Sequence, residues 1–200
     1  MAKADWLNVN PASGSGDANV NVSSKSEHTG RKLRTTFLTW KATNVDGIVR
    51  TVNQAGKPEY VDIDDAASSG QAGKVVTIAG VSNSAKLTFS LGTGALNISL
   101  PATYVANSMT TNNGAAISGD PGAVAEYPFT IAINVPANDS IEPQTRQIIV
   151  TDEAGHQDVC LLTLAAGEPY VRIAEGVIEL DYLGTAVTVA VESNTTWTVE

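Results

Sequence analysis

Val76-Thr77-Ile78-Ala79-Gly80-Val81-Ser82-Asn83 and Val187-Thr188-Val189-Ala190-Val191-Glu192-Ser193-Asn194 are two versions of one segment. Each is rich in β-branched residues, closes on Ser-Asn and follows a glycine, and Gly73 and Gly184 lie 111 residues apart. The match extends outward. Ala55-Gly56-Lys57-Pro58-Glu59-Tyr60-Val61-Asp62-Ile63 corresponds to Ala166-Gly167-Glu168-Pro169-Tyr170-Val171-Arg172-Ile173, with the tyrosines 110 apart. Arg34-Thr35-Thr36-Phe37-Leu38-Thr39 corresponds to Arg146-Gln147-Ile148-Ile149-Val150-Thr151, with the arginines 112 apart. A shift this constant across three separate matches indicates duplication rather than a coincidence of β composition. A unit of this length is one β-sandwich domain, not a short solenoid repeat.

Hydropathy patterning agrees. No stretch has helical periodicity, whereas short Val/Ile/Thr runs recur between Gly, Pro, Asn, Asp and Ser. Ile131-Ala132-Ile133-Asn134-Val135 and Asn19-Val20-Asn21-Val22 alternate with period two. The fold class expected is all-β, built of tandem immunoglobulin-like sandwiches. Strands are expected at 6–9, 19–23, 35–40, 48–53, 75–81, 87–91, 129–135, 147–151 and 159–164. Residues 61–72 read as a polar connector. Residues 92–127, with Gly92-Thr93-Gly94, Asn112-Asn113-Gly114 and Gly119-Asp120-Pro121-Gly122, read as a long projecting loop.

Only the copy at 60–169 is whole. Residues 1–59 read as the later strands of a sandwich and residues 170–200 as two or three early strands, so one unit is continuous and one is split between the chain ends. The two parts can join within one chain or between neighbouring copies. Short proline-stiffened linkers at Gly56-Lys57-Pro58 and Gly167-Glu168-Pro169 favour the second arrangement.

The net charge of −9 is unevenly placed. Residues 1–60 hold eight Lys/Arg and five Asp/Glu, against four and sixteen in residues 61–200. Neither part has a basic patch interleaved with aromatics, which argues against a nucleic-acid partner. No run is long and apolar enough to span a membrane. The opening Met1-Ala2-Lys3-Ala4-Asp5-Trp6 lacks the apolar core of a signal peptide, so synthesis in a cytoplasm is expected. One cysteine, Cys160, cannot form an intrachain disulfide; in Val159-Cys160-Leu161-Leu162 it reads as a small core residue.

Trp6-Leu7-Asn8-Val9-Asn10-Pro11-Ala12-Ser13-Gly14-Ser15-Gly16, Arg34, and Val52-Asn53-Gln54-Ala55-Gly56 resemble the back half of a BACON-type immunoglobulin-like module. Glu192-Ser193-Asn194-Thr195-Thr196-Trp197 resembles the front half, and in that family one tryptophan joins the halves. The middle copy is looser, with Phe89 where tryptophan is expected. Trp6, Trp197 and Asn194 are therefore candidate junction or interface residues. The resemblance implies carbohydrate or mucin binding, and BACON-like modules also resemble parts of virion proteins in crAss-like phages. It carries no residue-level binding motif.

No enzyme constellation is legible and no cofactor is implied. His28 and His156 each sit in a polar turn, read as surface positions, and no Gly-x-Ser-x-Gly elbow exists. Asp62, Asp64 and Asp65 offer oxygen ligands, but Arg172 replaces Asp62 in the next copy, so no metal is expected. Asn-x-Ser/Thr triplets at Asn21, Asn97, Asn138 and Asn194 follow from composition. Trp40, whose repeat partner is Asp152, reads as a partly exposed ring at a sheet end, able to stack on a sugar or to cover that end. Two functions compete. One is a structural protein of a phage virion, of capsid-decorating or fibre type, whose partners are copies of the same chain and a major capsid protein. The other is a glycan-binding module at a bacterial cell surface, which requires a leader ahead of residue 1.

Overall fold

A computed structural model describes residues 3–174 and 176–200; Met1 and Ala2, part of the leader argument, and Glu175 lie outside the described residues. Strands follow the alternating runs. In chain order they are β1 (Leu7–Asn10), β2 (Asn21–Ser24), β3 (Arg34–Ala42), β4 (Val45–Gln54), β5 (Val61–Ile63), β6 (Ala66–Ser69), β7 (Lys74–Ser82) and β8 (Thr88–Leu91). Then come β9 (Thr103–Ala106), β10 (Met109–Asn112), β11 (Tyr127–Val135), β12 (Gln144–Thr151), β13 (Gln157–Leu164), β14 (Val171–Ile173) and β15 (Val191–Ser193). The chain is all-β; a single 3-10 turn at Pro121–Ala123 is the one helical element among the described residues.

Between residues 60 and 169 two sheets enclose one core, an arrangement compatible with a β-sandwich. One sheet has the order β10-β9-β11-β7-β5 and the other β6-β13-β12-β8. Period two explains the core directly: β11 buries Tyr127, Phe129, Ile131, Ile133 and Val135 and turns the intervening residues away. Its antiparallel register with β7 runs unbroken from Tyr127 opposite Ser82 to Val135 opposite Lys74. The facing sheet contributes Phe89, Ile148, Val150, Cys160, Leu162 and Leu164. Phe89 anchors the centre, with Tyr104 and Phe129 rings at 5.0 and 5.8 Å.

Three sequence expectations are corrected. Residues 92–127 are not a projecting loop: they supply β9 and β10, and Leu96, Tyr104, Ala106 and Ile117 lie in the core. The turn residues there close short strands. Asn113 in particular imitates a strand partner, its Oδ1 accepting from the Phe89 N–H (2.7 Å) and its Nδ2 donating to the Phe89 carbonyl (3.0 Å). Residues 61–72 are not merely a connector either, since β5 and β6 occupy them. Asp158 holds β5 by accepting from the Ile63 N–H at 2.7 Å. His28, expected at the surface, is buried.

The two ends of the chain are built differently. Among the described residues β1 pairs only with β2, β3 with β4, and β14 with β15. In the head (residues 1–59) the buried apolar side chains are Leu7 and Leu38, while Val20, Val22, Trp40 and Ile48 stay exposed. Trp40 and Ile48 are directly opposite each other across β3 and β4, on the face that carries Leu38. In the tail (residues 170–200) the apolar residues are also exposed. Val187 is 51% exposed where its repeat counterpart Val76 is 6%, and Ile173 is 51% exposed where Ile63 is 2%. Among the described residues, equivalent sequence therefore meets a partner sheet in the centre and none at the ends.

Candidate functional site at two linker joints

Pro58 has no N–H and a fixed φ, so the linker Lys57-Pro58-Glu59 cannot join a strand ladder and leaves its carbonyls to other donors. Asn83, just past β7 and fully buried, satisfies them. Its Nδ2 donates to the carbonyls of Pro58 (3.1 Å), Lys57 (3.3 Å) and, across in the head, Thr29 (3.1 Å). Its Oδ1 accepts from the Tyr60 N–H at 3.0 Å. Ser82 Oγ donates to the Tyr60 carbonyl (2.7 Å) and accepts from the Ser84 N–H (3.0 Å).

The same arrangement recurs at the second linker. Asn194 Nδ2 donates to the carbonyls of Asp139 (2.7 Å) and Glu168 (2.9 Å), and its Oδ1 accepts from the Tyr170 N–H (2.9 Å). Ser193 Oγ donates to the Tyr170 carbonyl (2.8 Å) and accepts from the Thr195 N–H (3.1 Å). The backbone follows suit, with Lys57 N–H donating to Gly30 and Gly167 N–H to Ser140. His28 and Asn138 each close a loop by donating to the carbonyl four residues on, Lys32 (2.7 Å) and Glu142 (2.9 Å). A cation covers the linker tyrosine in both: Lys57 lies 4.2 Å from the Tyr60 ring centre and Arg172 4.6 Å from that of Tyr170.

The first joint has a second layer. Arg31 binds Asp120 through both terminal guanidinium nitrogens, at 2.5 and 2.7 Å, and also donates to the Asn83 carbonyl at 3.1 Å. Lys32 Nζ reaches Asp120 at 3.1 Å. The Asp120 carboxylate raises the pKa of Arg31 through this contact, and Arg31 in turn holds the Asp120 carboxyl below its ordinary value. Backbone N–H groups of Arg31 and Lys32 donate to Gly122 and Ala123, so head and centre meet main chain to main chain. That approach requires glycine. Across the joint a Cβ on Gly30 would stand 2.3 Å from the Val124 backbone, and within the centre one on Gly122 would stand 2.0 Å from the Asn83 carbonyl oxygen.

At the second joint Ile141 and Glu142 take the places of Arg31 and Lys32, and the layer is missing among the described residues. Asn194 is only partly buried, beside an open recess of about 380 Å³ lined by Gln71, Asn138, Glu168, Tyr170 and Arg172. The two joints share one clamp, closed at the first and open at the second. No protein-family model matches this chain. No curated protein matches it either.

The remaining candidates fall in separate places. Trp6 lies at the first joint, its ring covered by the Arg34 guanidinium at 4.4 Å, and it lines a recess with His28, Ala123 and Val124. Trp197 is exposed in the tail, and no strand pair links tail to head among the described residues. Trp40 lines a groove of about 590 Å³ between β1 and β3, with Val9, Pro11, Val20, Leu38 and Thr39. Asp64 is engaged with the Ala79 N–H (3.0 Å), and no set of three metal-ligating side chains converges among the described residues. His156 donates through Nδ1 to the buried Asp152 at 2.7 Å, while the Ser84 hydroxyl is engaged by Glu59 and the Lys86 carbonyl. Burial pushes the Cys160 thiol up to about 11, the opposite of an activated nucleophile. No helix of the described residues is long and apolar enough to cross a membrane.

Sequence reasoning found Asn83 and Asn194 as the ends of the repeated segment but not the Arg31–Asp120 contact. Those residues are 89 positions apart and neither repeats, so no local pattern announces them.

Proposed function

We propose that the chain is a non-enzymatic structural protein of a phage virion, of capsid-decorating or fibre type, built from tandem immunoglobulin-like (BACON-like) β-sandwich modules. One module is continuous over 60–169, and one is split between residues 1–59 and 170–200. The observation that carries this reading is the duplicated linker clamp. Asn83 and Asn194 each bond three matching backbone groups (Thr29, Lys57 and Tyr60 in one, Asp139, Glu168 and Tyr170 in the other), so side chains rather than a flexible tether hold each linker. Rigid, repeated spacing is what a particle surface or fibre requires of its subunits. Partners in this reading are further copies of the chain and a major capsid protein. The chain is made in the host cytoplasm and its final place is the virion.

Antibody raised against the 200-residue chain and labelled with gold tests this on particles purified from a lysate. Regular decoration of capsid or fibre is expected. Antigen confined to the particle-free fraction refutes the reading.

A second reading, glycan binding at a bacterial surface, rests on the Trp40 groove, where an exposed ring is bordered by Ser13, Thr39 and Lys41. Binding on a glycan array that is lost in Trp40→Ala supports it, and an array with no bound glycan removes it.

A further inference from the structure

The two repeated hairpins differ at one end. β12 runs out into Asp152 and Glu153, and Asp152 is buried and closes its own turn, accepting from the His156 N–H at 2.8 Å and bonding His156 Nδ1 at 2.7 Å. In the head the same repeat positions, 112 residues earlier, are Trp40 and Lys41. An aromatic ring and a cation stand where the central copy has two carboxylates. The hairpin itself does not require them, since the central copy folds without either. Trp40 also leaves 41% of its surface to solvent.

Local geometry brings both side chains to one place. Asp46 and Gly47 together oppose the single residue Lys41, between the pairs Trp40–Ile48 and Ala42–Val45. Such a bulge bends and twists the hairpin and re-aims a side chain, so the consecutive residues Trp40 and Lys41 line one groove. Its volume of about 590 Å³ lies within the range of roughly 300–1,000 Å³ that holds small-molecule ligands. Lys3 lines it too, over an apolar floor of Val9, Val20 and Leu38. Among the described residues neither lysine forms an ion pair, and no carboxylate or amide side chain lines the groove. The groove therefore offers a flat apolar ring and strong donors, with no side-chain acceptor stronger than the hydroxyls of Ser13 and Thr39. A neutral sugar, whose hydroxyl protons need acceptors, is poorly served. A ligand that brings its own carboxylate is well served. Polyphosphate is disfavoured, because a backbone with a charge on every unit meets a chain of net charge −9.

We infer that the Trp40 groove takes a carboxylated sugar, a uronic or sialic acid residue, with the ring of Trp40 against the pyranose face and Lys3 and Lys41 on the carboxylate. This rests on the glycan reading of the groove given above and adds the class of sugar. The aliphatic C–H bonds of a pyranose face meet the negative face of the indole, and each ammonium supplies a charge-assisted hydrogen bond.

Isothermal titration of the full chain with four probes tests the inference: trigalacturonate against its neutral counterpart galactotriose, and 3′-sialyllactose against lactose, each from about 10 µM to 5 mM. Binding of one or both carboxylated probes at least about tenfold tighter than the neutral partner is expected, weakening as salt is raised. Which carboxylated probe binds identifies the source, uronate or sialate. Lys41→Gln, which keeps the length and removes the charge, should reduce the preference for the carboxylated probe about tenfold while leaving any residual neutral binding within about twofold. Trp40→Ala should weaken every probe that binds at least about tenfold. Unchanged far-UV circular dichroism and thermal transition show that both variants are folded. Equal binding of neutral and carboxylated probes, or a preference that survives Lys41→Gln and Lys3→Gln together, overturns the inference and leaves the glycan reading standing. Binding that survives Trp40→Ala places the sugar elsewhere and overturns it as well. No heat with any of the four probes removes both.

Discussion

Asn83→Ala and Asn194→Ala delete the same atoms from two copies of one clamp, and their costs should differ because burial differs. At Asn83 the substitution strands the Tyr60 N–H and withdraws a donor from the Thr29, Lys57 and Pro58 carbonyls, in a site closed to water. A buried group left unsatisfied costs about 1–3 kcal/mol. With four backbone groups affected, the upper end of that range, about 3 kcal/mol, is expected for the site as a whole. That is a large share of the roughly 5–15 kcal/mol that stabilises a domain. At Asn194 water reaches the same groups and replaces the lost bonds, leaving a cost of about 0.5–1 kcal/mol. Urea unfolding at low protein concentration, followed by far-UV circular dichroism, measures both. With a slope of about 2 kcal/mol per molar urea, Asn83→Ala should lower the midpoint by about 1.5 M and Asn194→Ala by less than about 0.5 M. Equal shifts for the twin variants would refute the claim that solvent exclusion, not bond count, sets the strength of the clamp.

Three further outcomes are expected. Leu96→Ala, in the segment read from sequence as a loop, should cost about 2–4 kcal/mol in thermal or urea unfolding because Leu96 is fully buried; a cost under about 0.5 kcal/mol would return it to the surface. Asp120→Asn should weaken the head-to-centre contact by about 1 kcal/mol. Asp120 has its carboxyl lowered by Arg31, so its stabilisation is present above the ordinary carboxyl value of 3.8 and is lost as pH falls through the lowered value. The variant's melting temperature should therefore fall less steeply than wild type below about pH 4, and parallel curves would exclude the contact as the cause. Cys160, buried in β13 with its thiol raised to about 11, should resist a thiol reagent in buffer and react stoichiometrically in denaturant. Rapid labelling of the native chain would place it at the surface.

The all-β class and the duplication were legible because they are periodic: β11 alternates residue by residue, and the Ser82-Asn83 and Ser193-Asn194 pairs recur at a fixed interval. The segment 92–127 was not. Its strands are four residues long, too short to establish alternation, and its core residues Leu96 and Ile117 stand alone among turn formers. Asn113 carried a turn signal while its side chain served as a ladder partner for Phe89. His28 has polar neighbours in sequence, and what buries it is the packing of the head at the first joint. The candidate tryptophans behaved similarly. Trp40 is exposed whereas its repeat counterpart Asp152 is buried, so the shared position did not foretell that exposure, and the position of Trp6 at a joint depends on Ala123 and Val124, far along the chain.

The direction in which the chain passes through its central region has a mechanical consequence. It enters at Tyr60, leading into β5, and leaves at Ala165 after β13, at the opposite end of the sheets. A pull applied through the two linkers thus runs along the strand axes. Under such loading the β5–β7 and β13–β12 ladders are strained in shear, all their hydrogen bonds together, rather than peeled open one pair at a time. The clamp at Asn83 delivers the load directly to the end of β7, the strand held on both sides by β5 and β11. Stretched, the chain should hold until whole ladders slip at once, and the linker at the open second joint should be the first part to give.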